Sequence, residues 1–219
     1  MTGTVSTLGT AGPTSAVQLA MVLSLVSLVP AIILTCTTFP RFIVVFSLLK
    51  TGLGTPGAPP NQVLVGMALF MTLFVMAPVA TTIHEQALAP YFAGKLDEKG
   101  ALEAATPVIR KFLLKRTRQT DLSLFYEVSG DTRPKSATDV PLRIVIPAFV
   151  LSELRTALQM GLIILLPFLV VDLVVATVLS ALGMVMVPPA LVSLPVKLLV
   201  FVGVDGWHMV VSSLLRGVM

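Results

Sequence analysis

The 219 residues include a single cysteine, Cys36. One thiol closes no internal disulfide and builds no cysteine metal site, so neither kind of staple supports this fold and Cys36 is expected to be a small buried side chain. Charge is scarce too. Asp, Glu, Lys and Arg make up 12% of the chain, about half the share of an ordinary soluble domain. With 55% hydrophobic residues and a mean hydropathy of +0.95, the chain is expected to be an integral membrane protein. Catalytic signatures are missing as well: there is no phosphate-cradling glycine loop ending in Lys-Ser or Lys-Thr, no histidine pair on a helix and no Gly-x-Ser-x-Gly elbow. No enzymatic activity, cofactor or metal is therefore expected. The two histidines, His84 and His208, lie in different segments and read as ordinary polar residues at a boundary. The net charge of +4 is read against membrane topology, and no nucleic-acid partner is implied. Residues Met1 to Pro40 carry no Lys, Arg, Asp or Glu. They lack the basic start of a secretory signal, so Val17 to Leu34 is expected to be a retained anchor.

What the sequence does have is long apolar runs with breaks. The most informative break is Ala181 to Lys197, where Gly183 and the Pro188-Pro189 pair forbid one continuous helix because proline lacks an amide donor and clashes with the preceding turn. Two helices must meet there at a bend bearing Met184 and Met186. Irregular backbone at membrane depth is tolerated where protein buries it or where it lines a cavity, so this loop is a candidate pore lining. The competing reading is a plain hairpin whose methionines fill gaps in a bundle.

Elsewhere, Phe42 to Leu49 is too short to span unaided and is expected to continue the first run after a bend at Pro40. Thr51 to Pro60 reads as a Gly/Pro turn with Asn61 capping the next helix, and Gln62 to Ile83 is the second spanning candidate. Gly66, Ala68 and Thr72 suit close helix approach. Residues 84–143 hold most of the charge and are expected to leave the membrane. Within them Thr106-Pro107 reads as a cap plus first-turn proline, followed by an apolar face of Val108, Ile109, Phe112 and Leu113. That amphipathic helix packs on its own small domain, on a partner or on the membrane surface. Ile144 to Val187 is too long for one simple span. Placing the Gly/Pro turn, flanked by Arg41 and Lys50, in the cytoplasm puts the charged segment and both termini outside if there are four spans.

The expected organisation is thus 1–83, N-terminal hydrophobic helices with a turn at 51–60; 84–143, a charged extramembrane helical segment; and 144–219, C-terminal hydrophobic helices with a Met-bearing loop at 183–189. The fold class is an all-α integral membrane protein with bent hydrophobic hairpins and a charged, mostly helical segment between the second and third hydrophobic segments. Glu153, Asp172, Lys197 and Asp205 sit inside apolar stretches, where an uncompensated charge costs at least about 3 kcal/mol. They are expected to be buried, paired or facing water. An ion-coupled transporter using Glu153 and Asp172 is one use for such acids, although no repeated half with matching broken helices is evident.

Several stretches together resemble one family. Thr38-Phe-Pro-Arg-Phe-Ile-Val-Val-Phe-Ser-Leu-Leu-Lys50, Gly54-Thr-Pro-Gly-Ala-Pro-Pro-Asn-Gln62, Phe74-Val-Met-Ala-Pro-Val79, Ile146-Pro-Ala-Phe-Val-Leu-Ser-Glu-Leu154, Leu166-Pro-Phe-Leu-Val-Val-Asp-Leu173, Ala181-Leu-Gly-Met-Val-Met-Val-Pro-Pro189 and Val204-Asp-Gly-Trp207 are similar in order and spacing to the FliP family of flagellar and type III secretion export-gate subunits. The proline-rich turn and Phe112 to Phe125 resemble flagellar members more than injectisome ones, while the lack of a clear signal peptide points the other way.

The resemblance implies a core subunit of the flagellar type III protein export gate in the bacterial inner membrane, at the flagellar basal body. Its implied partners are several copies of itself, two smaller gate subunits, membrane lipid and unfolded export substrates in transit. It implies bent hairpins that stack on neighbouring subunits, and a methionine ring closing the pore. Met184 and Met186 occupy two positions of that ring, and Val185 replaces the central methionine of many members. Because the family fold packs these stretches between subunits, Glu153 and Lys197 are expected to pair across adjacent copies.

Overall fold

The computed structural model describes Ser27 and residues 34–218 apart from Pro56 and Lys135; the expected anchor Val17 to Leu34 lies outside the described residues except for Ser27 and Leu34. Every regular element among the described residues is helical. Helix α1 spans Phe39–Leu53. Pro40 stands in its first turn, where the missing amide costs nothing, so the chain breaks at Cys36 to Thr38 and does not bend within a longer helix at Pro40. The helix runs three residues into the expected Gly/Pro turn and stops at Gly54, which has φ 73° and donates its amide to the Thr51 carbonyl at 3.1 Å. Phe42, Val45, Phe46, Leu49 and Leu53 recur at helical spacing and are all buried, the mark of a core-facing stripe.

Helix α2 starts at Asn61, passes through a π-helical turn at His84–Leu88 and ends at Phe92, 32 residues in all. Asn61 is not the cap: Pro60 holds that position, and the Asn61 side chain instead accepts from Lys50 Nζ at 2.8 Å, closing the turn between α1 and α2. Helix α3 spans Glu98–Arg116 and is capped by Asp97, whose carboxylate accepts from the Gly100 amide at 2.8 Å. The expected start at Thr106-Pro107 is therefore corrected. Pro107 lies inside α3, and Thr106 is an interior residue whose hydroxyl donates to the Leu102 carbonyl. A stronger carboxylate cap one turn after Gly94 sets the start, and the helix carries its proline. Helix α4 is Gln119–Ser129, and a short 3-10 turn at Ala137–Asp139 leads into α5.

Helix α5 is one unbroken element, Leu142–Ala181, of 40 residues. At 1.5 Å per residue it is about 60 Å long, twice the roughly 30 Å of a bilayer core, so the reading that this stretch exceeds a simple span holds without any break in it. Its two halves live in different surroundings. The first half buries Ile144, Val145, Ala148 and Phe149 against Phe112, Leu113, Leu122 and Tyr126 of α3 and α4, with the Phe112 and Phe149 rings 6.1 Å apart. The charged segment thus has its own small core. The second half lies across α1 at two glycines: a Cβ at Gly161 would sit 2.1 Å from Leu48 Cδ1, and one at Gly52 would sit 2.7 Å from Leu165 Cδ2. On the faces of α5 turned away from that crossing and further along the helix, Leu162, Ile163, Leu166, Leu169, Val170 and Leu173 are exposed.

Helices α6 (Pro189–Gly203) and α7 (Gly206–Arg216) complete the chain and meet at 63°. Asp205, at φ 52°, makes that bend, and Gly206 is pressed against the Phe201 ring. Two described helices, α2 and α5, are long and apolar enough to cross a membrane, and α6 with α7 makes a third if the bent pair is one span.

Candidate functional site

Two features of the chain carry chemistry, a bare methionine loop and a set of charges buried where the helices converge. The loop follows from local sequence. Gly183 adopts φ 75°, open to glycine without strain, and its amide and that of Met184 donate back to Ser180 and Leu179 at 3.0 and 2.9 Å. This two-bond closure satisfies the last carbonyls of α5. Pro188 then occupies the cap position and Pro189 the first residue of α6, and the Val187 amide reaches the Met184 carbonyl at 3.3 Å. Both ends of the loop are fixed. Between them Met184, Val185 and Met186 are 45%, 82% and 94% exposed, so in the single chain the methionines do not fill a core. Leu182 and Leu191 beside them are exposed as well, and the whole tip of the α5–α6 hairpin presents apolar surface.

The buried charges form two networks. Glu153 on α5 is 0% exposed and is gripped by Arg41 of α1, whose Nε and Nη2 donate to its two carboxylate oxygens at 2.7 and 2.5 Å. The remaining Arg41 nitrogen, Nη1, donates to the Gly217 carbonyl at 2.8 Å. Arg116 of α3 reaches the next carbonyl, Val218, at 2.7 Å and lies over the Phe112 ring at 4.2 Å. Burial pulls the Arg116 guanidinium below its ordinary pKa; nearby Glu153 opposes the shift and Arg41 adds to it. Four parts of the chain, α1, α3, α5 and the C-terminal end of α7, are therefore tied at one point. On the neighbouring face of α5, Ser152 donates to the buried Asp121 carboxylate at 2.6 Å and accepts from the Arg118 amide, while Arg155 pairs with Asp121 at 3.1 Å. These bonds fasten the α3–α4 corner to α5.

The second network lies toward the hairpin. Lys197 of α6 donates to Asp172 of α5 at 2.7 Å and to the Gly52 carbonyl at 3.0 Å. The structure thus does not bring Glu153 and Lys197 together. Within the single chain each has its own partner, Arg41 for Glu153 and Asp172 for Lys197, and a carboxylate with both oxygens bonded to a fork of arginine donors is already well satisfied. Asp172 is a partly exposed acid at 40%. Asp205, expected to be buried, is exposed at the α6–α7 bend. Arg41, Asp121 and Ser152 were missed by sequence reasoning. Arg41 carried a signal, being the one cation between Met1 and Leu49, but it reads equally well as a flank of the turn. Among the described residues no group of three or more His, Cys, Asp or Glu is placed to hold a metal ion.

Comparison with known proteins gives a consistent picture. The sequence model of the FliP family matches residues 22–214. The chain is 47% identical over 201 residues to the flagellar biosynthetic protein FliP of Pectobacterium carotovorum subsp. carotovorum, a match covering 92% of this chain and 78% of that one. It is 46% identical over 202 residues to the protein of the same name from Bacillus subtilis (strain 168), covering 92% and 91%. The corresponding protein of Aquifex aeolicus (strain VF5) is 42% identical over 202 residues, covering 91% and 84%.

Proposed function

The chain belongs to the FliP family, and from that premise we propose that it is a non-enzymatic core subunit of the flagellar type III protein export gate. Several copies assemble, together with two smaller gate subunits, around a path for unfolded substrates across the bacterial inner membrane at the flagellar basal body. The charged segment of residues 84–143 stands outside the bilayer. Met184, Val185 and Met186 line the constriction of the path. The observation that carries this reading is the state of the hairpin tip. Its loop is pinned at both ends by Gly183 and the Pro188-Pro189 pair, yet its three central side chains are bare and lack any polar atom that would suit them to water.

The chemistry fits a compliant seal. A thioether on an unbranched chain repacks against many shapes without a fixed rotamer, whereas the β-branched Val185 is stiff at χ1 and holds the loop backbone while its neighbours move. Against the ion-coupled reading stands the condition of its two acids: Glu153 is walled off and doubly bonded to Arg41, and Asp172 is bonded to Lys197. The test is conductance across the membranes of cells expressing the assembled complex with Met184→Ala and Met186→Ala. A constriction predicts leak of small ions with export largely retained. Reduced abundance of the complex without leak would end this reading.

A further inference from the structure

We propose that the groove between α3 and the loop that leads into α5 is a docking site for an acidic, extended peptide segment of a partner protein. The groove has a volume of about 630 Å3. Arg110 and Lys111 of α3 line one side and Arg133 of the loop the other, while Leu122 and Val140, 3% and 5% exposed, form an apolar floor with Leu114. Two arginines fasten the loop across it: Arg110 Nη1 donates to the Thr138 carbonyl, and Arg133 Nη2 donates to Gln119 Oε1. Both acceptors are neutral, so neither bond cancels a charge. Among the described residues, no acid lies within ion-pair distance of Arg110, Lys111 or Arg133, and no acid lines the groove. The acids nearest in sequence are engaged elsewhere or face away. Asp131 pairs with Arg143 at 2.8 Å, Asp121 is buried with Arg155, Asp139 accepts from the Thr138 hydroxyl at 3.2 Å, and Glu127 is outside the lining.

The placement of the cations favours a chain over a point charge. The two loop ties stand at different levels of α3: Arg110 is six residues, about 9 Å, before the helix end at Arg116, and Gln119 follows that end. One small anion does not engage both ends, whereas an extended peptide at about 3.3 Å per residue covers the distance with three or four residues. Such a segment alternates its side chains between two faces. Acids on one face can meet the exposed Lys111 and Arg133 at the rim, while apolar neighbours enter the floor of Leu122 and Val140. A guanidinium fork suits a carboxylate, and the two arginines supply one at each end. The proposal rests on residues 84–143 standing outside the bilayer, where a segment of a partner reaches them.

The experiment is fluorescence anisotropy of a dye-labelled peptide, acetyl-Glu-Leu-Glu-Leu-Glu amide, titrated with the purified full chain in non-ionic detergent. The groove is open there whatever the protein does in a cell, so failure to bind speaks against the groove and leaves the export reading standing. The expected result is saturable binding. Replacing the glutamates of the peptide by glutamine, or its leucines by serine, should each weaken binding about ten-fold, the equivalent of about 1.4 kcal/mol. Lys111→Gln should weaken it about three-fold, in the range of an exposed ion pair. Arg133→Gln should weaken it about ten-fold and Arg133→Lys about three-fold, because lysine keeps the charge and loses the fork. Lys99→Gln, on α3 but outside the groove, should leave it unchanged. Absence of saturable binding at millimolar peptide, or equal binding of the glutamate and glutamine peptides, would overturn the proposal. So would displacement of the peptide by millimolar inorganic phosphate, which would mark a simple anion site, or by phosphatidylglycerol in the micelle, which would mark a lipid site. Self-association of the chain that Lys111→Gln abolishes, with no peptide bound, would make a second copy the occupant and overturn it as well.

Discussion

Replacing Glu153 by alanine is the perturbation that bears most directly on how this fold is held. The carboxylate is fully buried and accepts two charge-assisted bonds from Arg41, whose own side chain is 5% exposed. Glu153→Ala removes both bonds and leaves Arg41 buried with only the Gly217 carbonyl, beside the second guanidinium of Arg116. Breaking a buried pair by deleting one partner costs about 3–5 kcal/mol, because the surviving charge keeps its desolvation penalty. For a chain of this size each kcal/mol lowers the melting midpoint by about 2–4 °C, so a drop of roughly 6–20 °C is expected. The assay is thermal unfolding of the single chain in detergent, without partner subunits, because the pair lies within the chain. Arg41→Met with Glu153→Met, which removes both charges and keeps apolar volume, should recover most of the loss. Exchanging the charges, Arg41→Glu with Glu153→Arg, should recover less, since a carboxylate at 41 would face the Gly217 carbonyl. A midpoint for Glu153→Ala within about 2 °C of the parent, at most a third of the smallest expected drop, would show that this pair does not anchor the convergence of α1, α3, α5 and the residues after α7.

The Lys197–Asp172 pair should matter less, because Asp172 is partly solvated: Asp172→Ala is expected to cost about 1.5–3 kcal/mol, the range for a bond to a charged group, and Glu153→Lys with Lys197→Glu should fare no better than its worse single change in the same melting assay. Gly161→Val is expected to cost about 1–3 kcal/mol through overpacking where α1 crosses α5. Adding Leu48→Ala, which removes the atoms that a side chain at 161 would strike, should restore part of it; an unchanged midpoint for Gly161→Val would refute the close approach.

Much of this was legible because it is local. Gly183 and Pro188-Pro189 announce the end of α5 and the start of α6 by backbone chemistry alone, and the apolar runs announce α2 and α5 by length. Glu153 and Lys197 declared themselves as charges in need of partners. Which partners was hidden, because Arg41 lies 112 residues from Glu153 and no local pattern encodes a pairing at that separation. Thr106-Pro107 misled for the opposite reason. It has the form of a helix start, yet Asp97 nine residues earlier had already nucleated α3, and packing of Phe112 and Leu113 on α5 carried the helix through the proline. Asp205 fell inside an apolar run and so looked buried; the sequence around it does not reveal that the chain bends by 63° there and turns the acid outward.

The proposed contact between the tip of the α5–α6 hairpin and the chain being exported is tested with Cys36→Ser and Met186→Cys in one protein, expressed with an export substrate that carries a single cysteine and is arrested in transit by a folded C-terminal fusion. The control is Cys36→Ser with Leu102→Cys, since Leu102 is a well-exposed apolar residue of the charged segment. The expected result is an oxidant-dependent disulfide between position 186 and the arrested substrate, absent when the substrate is released and absent at position 102. Adducts at 102 equal to or exceeding those at 186, or none at 186 while the arrested substrate blocks export, would contradict it.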